Sequence, residues 1–578
     1  MSFLSSRRAR WGVVGVAGVA AATLAFVMPA AASQSNQGRR GSQVEVQILG
    51  FNDFHGNLRP PTGSGGRIGG VDAGGAVYLA TWLKKLREGN PNSVTVSAGD
   101  NVGASPLISA LFHDEPTINI FNEMGVDISS VGNHEFDEGK DELRRLQRGG
   151  CNPVDDCQLG WFGGADFEYL AANVIDVHRD RPLFKPWTVR RFQGVPVGFI
   201  GMTLKDTPTI VTAEGVKGLR FDDEVATANA AAAQLKQAGV HTIVLLIHQG
   251  GAQASTGTYD GCTGLSGPIV DITKKLDPEI SAVVSGHTHQ AYNCVVDGHL
   301  VTQAASFGRA LTDIHLTIDR QSDTVVSATA ANHIVTRDVT PDPDVSELVD
   351  EYGAKSATLE NRVIGRITSD LTRTASPAGE TPMGDAIADA QLAATSSATT
   401  GGAVAAFMNP GGVRADLTYA PSGAEQPGEV TYGEAFTVQP FNNLLTAMTI
   451  SGDAIKRVLE QQATTNRILQ PAGITYSYSA SAPAGSKVSN VVIGGQPLNP
   501  AASYRITVNN FLAGGGDGFT VFTEGTEGTE GTEGTEGTEG TEGTDKVNQG
   551  IDLDAFAAYL AANSPLAPPV TNRITLVP

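Results

Sequence analysis

The amino-acid sequence predicts an α/β fold built as two successive domains. Three observations carry this expectation. Short apolar runs of strand character repeatedly stop at a cluster of Asp, Asn or His. Segments of helical periodicity separate those runs. The chain has 578 residues, more than one hydrophobic core normally accommodates.

Taken in order, residues 1–32 read as an export signal. Arg7, Arg8 and Arg10 form a basic head, Trp11 to Met28 is apolar, and Ala30-Ala31-Ala32 offers a cleavage site. The first domain is expected over 44–340. Val44 to Phe51 alternates apolar and polar residues and delivers Asp53, and Ala76 to Glu88 has helical periodicity. Ser93 to Ala98 is a short strand ending at Gly99-Asp100. Leu107 to Met124 reads as a helix, and Ile128 to Val131 as a strand leading into Gly132-Asn133-His134. Tyr169 to Val174 and Val195 to Met202 are further strands. The Ala-rich helix Ala226 to Ala238 feeds the strand Thr242 to Ile247, which ends at His248. After the helix Ile269 to Leu276, the strand Ala282 to Ser285 stops at Gly286-His287. Ala310 to Asp319 and Val325 to Ala331 read as closing antiparallel strands.

A linker helix is expected within 341–362, and a second domain over 363–578. That domain holds helices at Met383 to Ala394, Ser451 to Gln461 and Asp552 to Ala562. Its expected strands are Val404 to Met408, Thr475 to Tyr478, Val488 to Ile493 and Tyr504 to Val508. Between 523 and 543 lie seven Thr-Glu-Gly triplets without an apolar residue, which read as a disordered, solvated loop. Such a loop lengthens readily, because closure entropy grows only with the logarithm of its length.

Composition excludes some functions. With 61 acidic and 40 basic residues the formal charge is -21, and -24 without the three leader arginines. Such a chain repels polymeric nucleic acid, whereas small phosphorylated molecules stay admissible once metal ions reverse the local field. Cys151/Cys157 and Cys262/Cys294 read as two disulfides of an exported protein, although four cysteines allow three pairings. A secreted or envelope-associated protein, not stably inserted in a membrane and monomeric, is the expectation.

The polar clusters at the strand ends carry the chemistry. Asp53 and His55, two residues apart, can grip one ion. Asp100 is placed to bridge two ions, one oxygen facing each. Asn133, His248 and His287 can complete the second shell, and His289 can return to the first ion. Mixed nitrogen and oxygen ligation suits zinc or manganese. Two such ions about 3.5–4 Å apart activate water and neutralise phosphate oxygens, which points to hydrolysis of a phosphate ester. His134 is left over for catalysis, with Asp137 three residues on to orient it. His113, His178, His241, His299 and His315 lack comparable surroundings.

Asn52-Asp53-Phe54-His55-Gly56, Gly99-Asp100, Gly132-Asn133-His134-Glu135-Phe136-Asp137 and Gly286-His287-Thr288-His289 resemble the signature motifs of the secreted 5'-nucleotidase family. That family is a branch of the calcineurin-like metallophosphoesterases, and the likeness covers about residues 44–575. The resemblance implies a four-layer α/β/β/α catalytic domain, a linker helix and a C-terminal α/β nucleotide-binding domain. It implies first-metal ligands Asp53, His55, Asp100 and His289, and second-metal ligands Asp100, Asn133, His248 and His287. The catalytic pair falls on His134 and Asp137.

In the second domain Asn409-Pro410-Gly411-Gly412-Val413-Arg414 is similar to the family's Asn-Gly-Gly-Gly-(Ile/Val)-Arg run. The resemblance gives Asn409 to base or ribose, Arg414 to phosphate, Phe441 and Phe511 to the two faces of the base, and Asp517 to the ribose hydroxyls. Asn443, in Pro440-Phe441-Asn442-Asn443, joins the substrate contacts. Pro410 departs from the family's glycine. The family's further arginine has no near counterpart before the helix containing Gly384; the closest is Arg373. The implied reaction is removal of the 5' phosphate from nucleoside monophosphates. UDP-sugars, NAD, other nucleoside pyrophosphates and 2',3'-cyclic nucleotides share the same nucleoside pocket.

Overall fold

The computed structural model describes residues 42–523 and 544–578. The leader at 1–32 and residues 524–543 of the triplet tract lie outside the described residues. Two six-stranded sheets occupy the first half. One runs Val325–Ile334, Ala310–Asp319, Gln43–Phe51, Ser93–Ser97, Ile128–Ser130 and Glu168–Leu170. The other runs Ala291–Val296, His299–Ala304, Ile280–Ser285, Thr242–His248, Val195–Thr203 and Trp187–Phe192. The central strands of both are parallel.

Period-2 alternation decides how these sheets stack. Val46 and Ile48 point into a core shared with Val244, Leu246, Val197 and Phe199 of the other sheet. Leu49 and Phe51 point the opposite way, onto the helices Ala76–Arg87 and Glu115–Met124. Ile243, Leu245 and Ile247 likewise face the helix Glu224–Gln237. Helix, sheet, sheet and helix therefore form four layers, as the resemblance implied. Both disulfides form with the sequential pairing, Cys151–Cys157 and Cys262–Cys294.

The helix expected over Leu107 to Met124 is two pieces, Leu107–Ala110 and Glu115–Met124. His113 and Asp114 between them have left-handed backbones (φ 51° and 59°), and Pro116 sits in the first turn of the second helix. Proline fits that position and cannot continue a preceding helix, so the break was written in the sequence. The linker helix is Pro343–Glu360, started by the Asp342 side chain accepting the Val345 N–H.

The second half centres on a five-stranded sheet ordered Gln470–Ala472, Ala405–Met408, Ser503–Asn509, Leu444–Ser451 and Thr544–Ile551. Helices Pro382–Thr395 and Asp552–Ala562 cover one face and Gly452–Thr465 the other. Leu107 of the first half is buried in the core of the second, with Met383 and Phe436 in the same cluster. No described helix is long and apolar enough to cross a membrane.

Candidate active site

Each polar cluster lies just past a strand. Asp53 follows Gln43–Phe51, Asp100 follows Ser93–Ser97, Asn133 follows Ile128–Ser130, His248 ends Thr242–His248, and His287 follows Ile280–Ser285. Chain direction places all five at the C-terminal ends of parallel strands, where backbone groups and side chains converge. Asn52 ties the two sheets together beneath them. Its Nδ2 donates to the Ala305 carbonyl (2.7 Å) and its Oδ1 accepts the Ala304 N–H (2.8 Å).

Asp53, His55 and His289 converge on one point. His55 Nε2 lies 3.2 Å from His289 Nε2, and His289 Nε2 lies 3.3 Å from Asp53 Oδ1. Burial holds both imidazoles below their ordinary pKa, so their lone pairs are available. Asp53, Asp100 and His248 form the adjoining group. Next to it His287 Nδ1 stands 3.1 Å from Asn133 Oδ1. His55 Nδ1 meets the Gly103 carbonyl and His248 Nδ1 the Ala98 carbonyl, both at 2.8 Å, which leaves each Nε2 facing the site.

The donor set fits two cations. His248 Nε2 is buried without a hydrogen-bond partner among the described residues, although Asp100 Oδ2 is 3.0 Å away. Burial alone would lower the His248 pKa; the adjacent Asp100 carboxylate outweighs it and pushes it up to about 9. Burial, together with the nearby His248 charge, takes His287 down to about 3. Five of the seven expected ligands, Asp53, His55, Asp100, His287 and His289, have positive φ. Side-chain-bearing residues seldom adopt that conformation, and its concentration here marks backbone strain held for a purpose.

One expected detail differs. Asp100 does not turn one oxygen to each side: Oδ1 accepts the His134 N–H (2.8 Å). Oδ2 alone faces both His248 and His55, the latter at 3.6 Å. Gly132 permits this approach, since a Cβ there would lie 2.1 Å from Asp100 Oδ1. Glu135, to which the motif assigned no role, accepts the N–H groups of Asp100 and Asn101 (both 2.8 Å) as well as that of Gly132. Burial and Asp100 push its pKa up to about 7.

His134 Nδ1 is 2.8 Å from Asp137 Oδ2. Burial works against its charged form, but Asp137 and then Asp100 prevail and its pKa is raised. The Phe441 ring stacks on the His134 ring, with centroids 5.6 Å apart and planes 19° apart. Phe511 lies over Gly516, whose added Cβ would meet its ring at 2.5 Å. Asn409 donates to Asp517 (3.0 Å), and Arg467 Nε approaches the other Asp517 oxygen at 3.0 Å. Arg467 carried no motif signal. Asn443 is buried against Asp552, whose N–H donates to its carbonyl; Asn442 lines the cavity beside Phe441 instead. Position 443 leads directly into the strand Leu444–Ser451, which draws it inward. Pro410 opens a short 3-10 turn, where its missing N–H is not needed.

Two cavities flank the metal-ligand cluster. The smaller, about 250 Å³, is lined by His289, Phe307, Arg309, Arg373, Arg414 and Gly65. The larger, about 520 Å³, lies beside His134 and Phe441 and has Asp114, Glu138, Glu142 and Asp155 in its wall. His113, set aside on sequence, bridges Glu138 (2.7 Å) and Asp155 (2.9 Å) there.

Known proteins place this arrangement. Residues 46–291 match the calcineurin-like phosphoesterase family, and residues 360–524 match the 5'-nucleotidase C-terminal domain. The chain is 32% identical over 483 residues to Endonuclease YhcR of Bacillus subtilis, covering 81% of this chain and 37% of that protein. It is 33% identical over 521 residues to Cell wall protein Lmo0130 of Listeria monocytogenes, covering 83% and 64%. It therefore spans only part of each relative's length. The crystal structure of a 5'-nucleotidase precursor from Thermus thermophilus superposes with a TM-score of 0.74 at 26% identity, covering 92% of this chain and 99% of that one.

Proposed function

The chain belongs to the calcineurin-like phosphoesterases that carry a 5'-nucleotidase C-terminal domain, and from that premise we propose that it hydrolyses the 5' phosphate of nucleoside monophosphates. The convergence of His55, His248 and His289 on Asp53 and Asp100, with His134 and Arg414 beside them, is the observation that supports this reading most. Asp53, His55, Asp100 and His289 would hold one divalent ion, and Asp100, Asn133, His248 and His287 the other. Zinc or manganese suits this set of imidazole, amide and carboxylate donors. When bound, the two ions supply positive charge against the phosphoryl oxygens and acidify the attacking water.

The protein's own groups do the rest. Arg414 takes a phosphoryl oxygen with its planar fork. His134, kept charged and aimed by Asp137, hydrogen-bonds the oxygen on which charge develops as the ester bond breaks. Asn409 and Asp517, already bonded to each other, present their remaining acceptor and donor sites to the nucleoside. Phe441, stacked on His134 and with the Arg414 guanidinium carbon 5.9 Å from its ring centroid, and Phe511 are the aromatic surfaces offered to the base.

Water adds to the phosphorus and the nucleoside leaves with a proton, giving nucleoside and inorganic phosphate. The name of the relative YhcR raises polymeric nucleic acid as a substrate, but a formal charge of -21 opposes a polyanionic strand. Two disulfides, and a relative named a cell wall protein, support an exported location.

The test is phosphate release from AMP, UMP, ADP, UDP-glucose, NAD and 2',3'-cyclic AMP with zinc or manganese supplied. AMP and UMP turn over fastest on this account. Preference for the pyrophosphate compounds, or turnover of the cyclic nucleotide alone, would overturn it.

A further inference from the structure

The smaller cavity holds more positive charge than one phosphoryl group needs. Arg414 has no hydrogen-bond partner for its guanidinium among the described residues; its guanidinium carbon lies 5.9 Å from the Phe441 ring centroid, and Asp100, Arg373 and Asp137 are among the charges that act on it. Arg373 shares Asp416 at 3.3 Å. Arg309 lines the same cavity. Its Nε donates to the Ser306 carbonyl (3.0 Å), and its two terminal nitrogens to the Arg67 carbonyl (3.2 Å) and Ser306 Oγ (2.6 Å). All three acceptors are neutral, so its charge is unbalanced, and two of its five N–H groups remain. Burial and the neighbouring Arg373 lower its pKa to about 10, which leaves it charged at neutral pH.

Position defines what Arg309 can reach. The Phe307 ring neighbours both, with its centroid 5.3 Å from the His289 ring and 5.2 Å from the Arg309 guanidinium carbon. Arg309 and His289 thus share one cavity wall, together with Arg373 and Arg414. A phosphoryl group held at His289 has this cavity beside it, and a second group attached to the first has the three arginines to meet. The larger cavity, lined by Asp114, Glu138, Glu142 and Asp155 together with His113, offers such a group no comparable set of arginines.

We propose that Arg309 is a specificity-determining residue that binds a second phosphoryl group, joined to the one at the metal ligands, so that nucleoside diphosphates are held more tightly than monophosphates. This rests on the reading of the site as a nucleotide phosphohydrolase. A purely structural role, tying Ser306 to Arg67, is the competing account, and it affects ligands of one and two phosphoryl groups alike.

The test is calorimetric binding of methylenediphosphonate and of methylphosphonate to the metal-loaded protein, with metal in excess. Wild type is expected to favour the diphosphonate by at least about tenfold. Arg309→Gln, which keeps amide donors for Ser306, is expected to cut that ratio by about tenfold. Arg309→Ala, which removes both charge and donors, is expected to cut it likewise and serves if the glutamine variant does not fold, whereas Arg309→Lys, which keeps the charge, retains most of it. A ratio near one in wild type, or an unchanged ratio in folded Arg309→Gln or Arg309→Ala, would overturn the proposal. Failure to release phosphate from AMP, with the ratio still dependent on Arg309, would instead remove only the monophosphatase reading.

Discussion

Asp137→Ala tests the catalytic pair most finely. The substitution deletes a carboxylate 2.8 Å from His134 Nδ1 and no expected metal ligand. A hydrogen bond to a charged group contributes about 1.5–3 kcal/mol net. The His134 and Asp137 side chains are 13% and 24% exposed, so solvent weakens the pair and the lower half of that range applies. At about 1.4 kcal/mol per factor of ten, kcat should fall about 10- to 40-fold. His134→Ala removes the acting group itself and should lose about 10²–10⁴. Because Asp137 works through His134, the double variant should be no slower than His134→Ala by more than about twofold. The assay is phosphate release from AMP at saturating metal, with metal content measured for each protein. Asp137→Ala within about threefold of wild type, or a double variant at least tenfold slower than His134→Ala, would refute the reasoning.

Three further expectations follow from the structure. His113 is raised to about 9, chiefly by its hydrogen bond to Glu138 and also by Asp155 and Glu142. A raised histidine stabilises the fold fully below its ordinary pKa of about 6.5 and loses that effect as pH rises through 9. The difference in Tm between wild type and His113→Gln should therefore shrink between those values, and a difference independent of pH would contradict the assignment. Replacing Cys262 and Cys294, 32 residues apart, with serine should lower unfolding free energy by about 3–4 kcal/mol in urea titrations; no change would mean the bridge does not constrain the unfolded chain. Phe441→Ala should raise the KM for AMP about 2- to 10-fold and leave that for ribose 5-phosphate nearly unchanged, since only AMP has a base to stack. Equal effects on both would remove the aromatic contact.

Much of this was legible in the sequence because strands and motifs coincide. Alternation along Val44 to Phe51 and the apolar run Thr242 to Ile247 marked two strands that end at Asp53 and His248, and the family motifs at their ends implied the four layers. The residues that were missed had weaker local signals. The short helix Tyr432–Val438 is announced by Thr431 and Glu434, whose side chains cap it reciprocally, yet its apolar pattern is too brief to register. The strand Leu444–Ser451 carries adjacent apolar pairs, Leu444-Leu445 and Ala447-Met448, in place of clean alternation, so its period is weak beside the helix that follows it. Arg309 and Arg467 carry no motif, and only the fold brings Arg309 beside His289 and Arg467 onto Asp517. Asp100 shows the limit of reading residue types alone: its two oxygens divide their work according to where the His134 N–H lies, which only the folded turn decides.

Metal titration of the stripped protein tests the central claim most directly. After chelation, zinc or manganese is returned stepwise while bound metal and phosphate release from AMP are followed together. Turnover should be absent without metal and should saturate as two ions bind per chain. Full activity in the stripped protein, or two bound ions with no phosphate released from any 5'-nucleotide, would contradict the account.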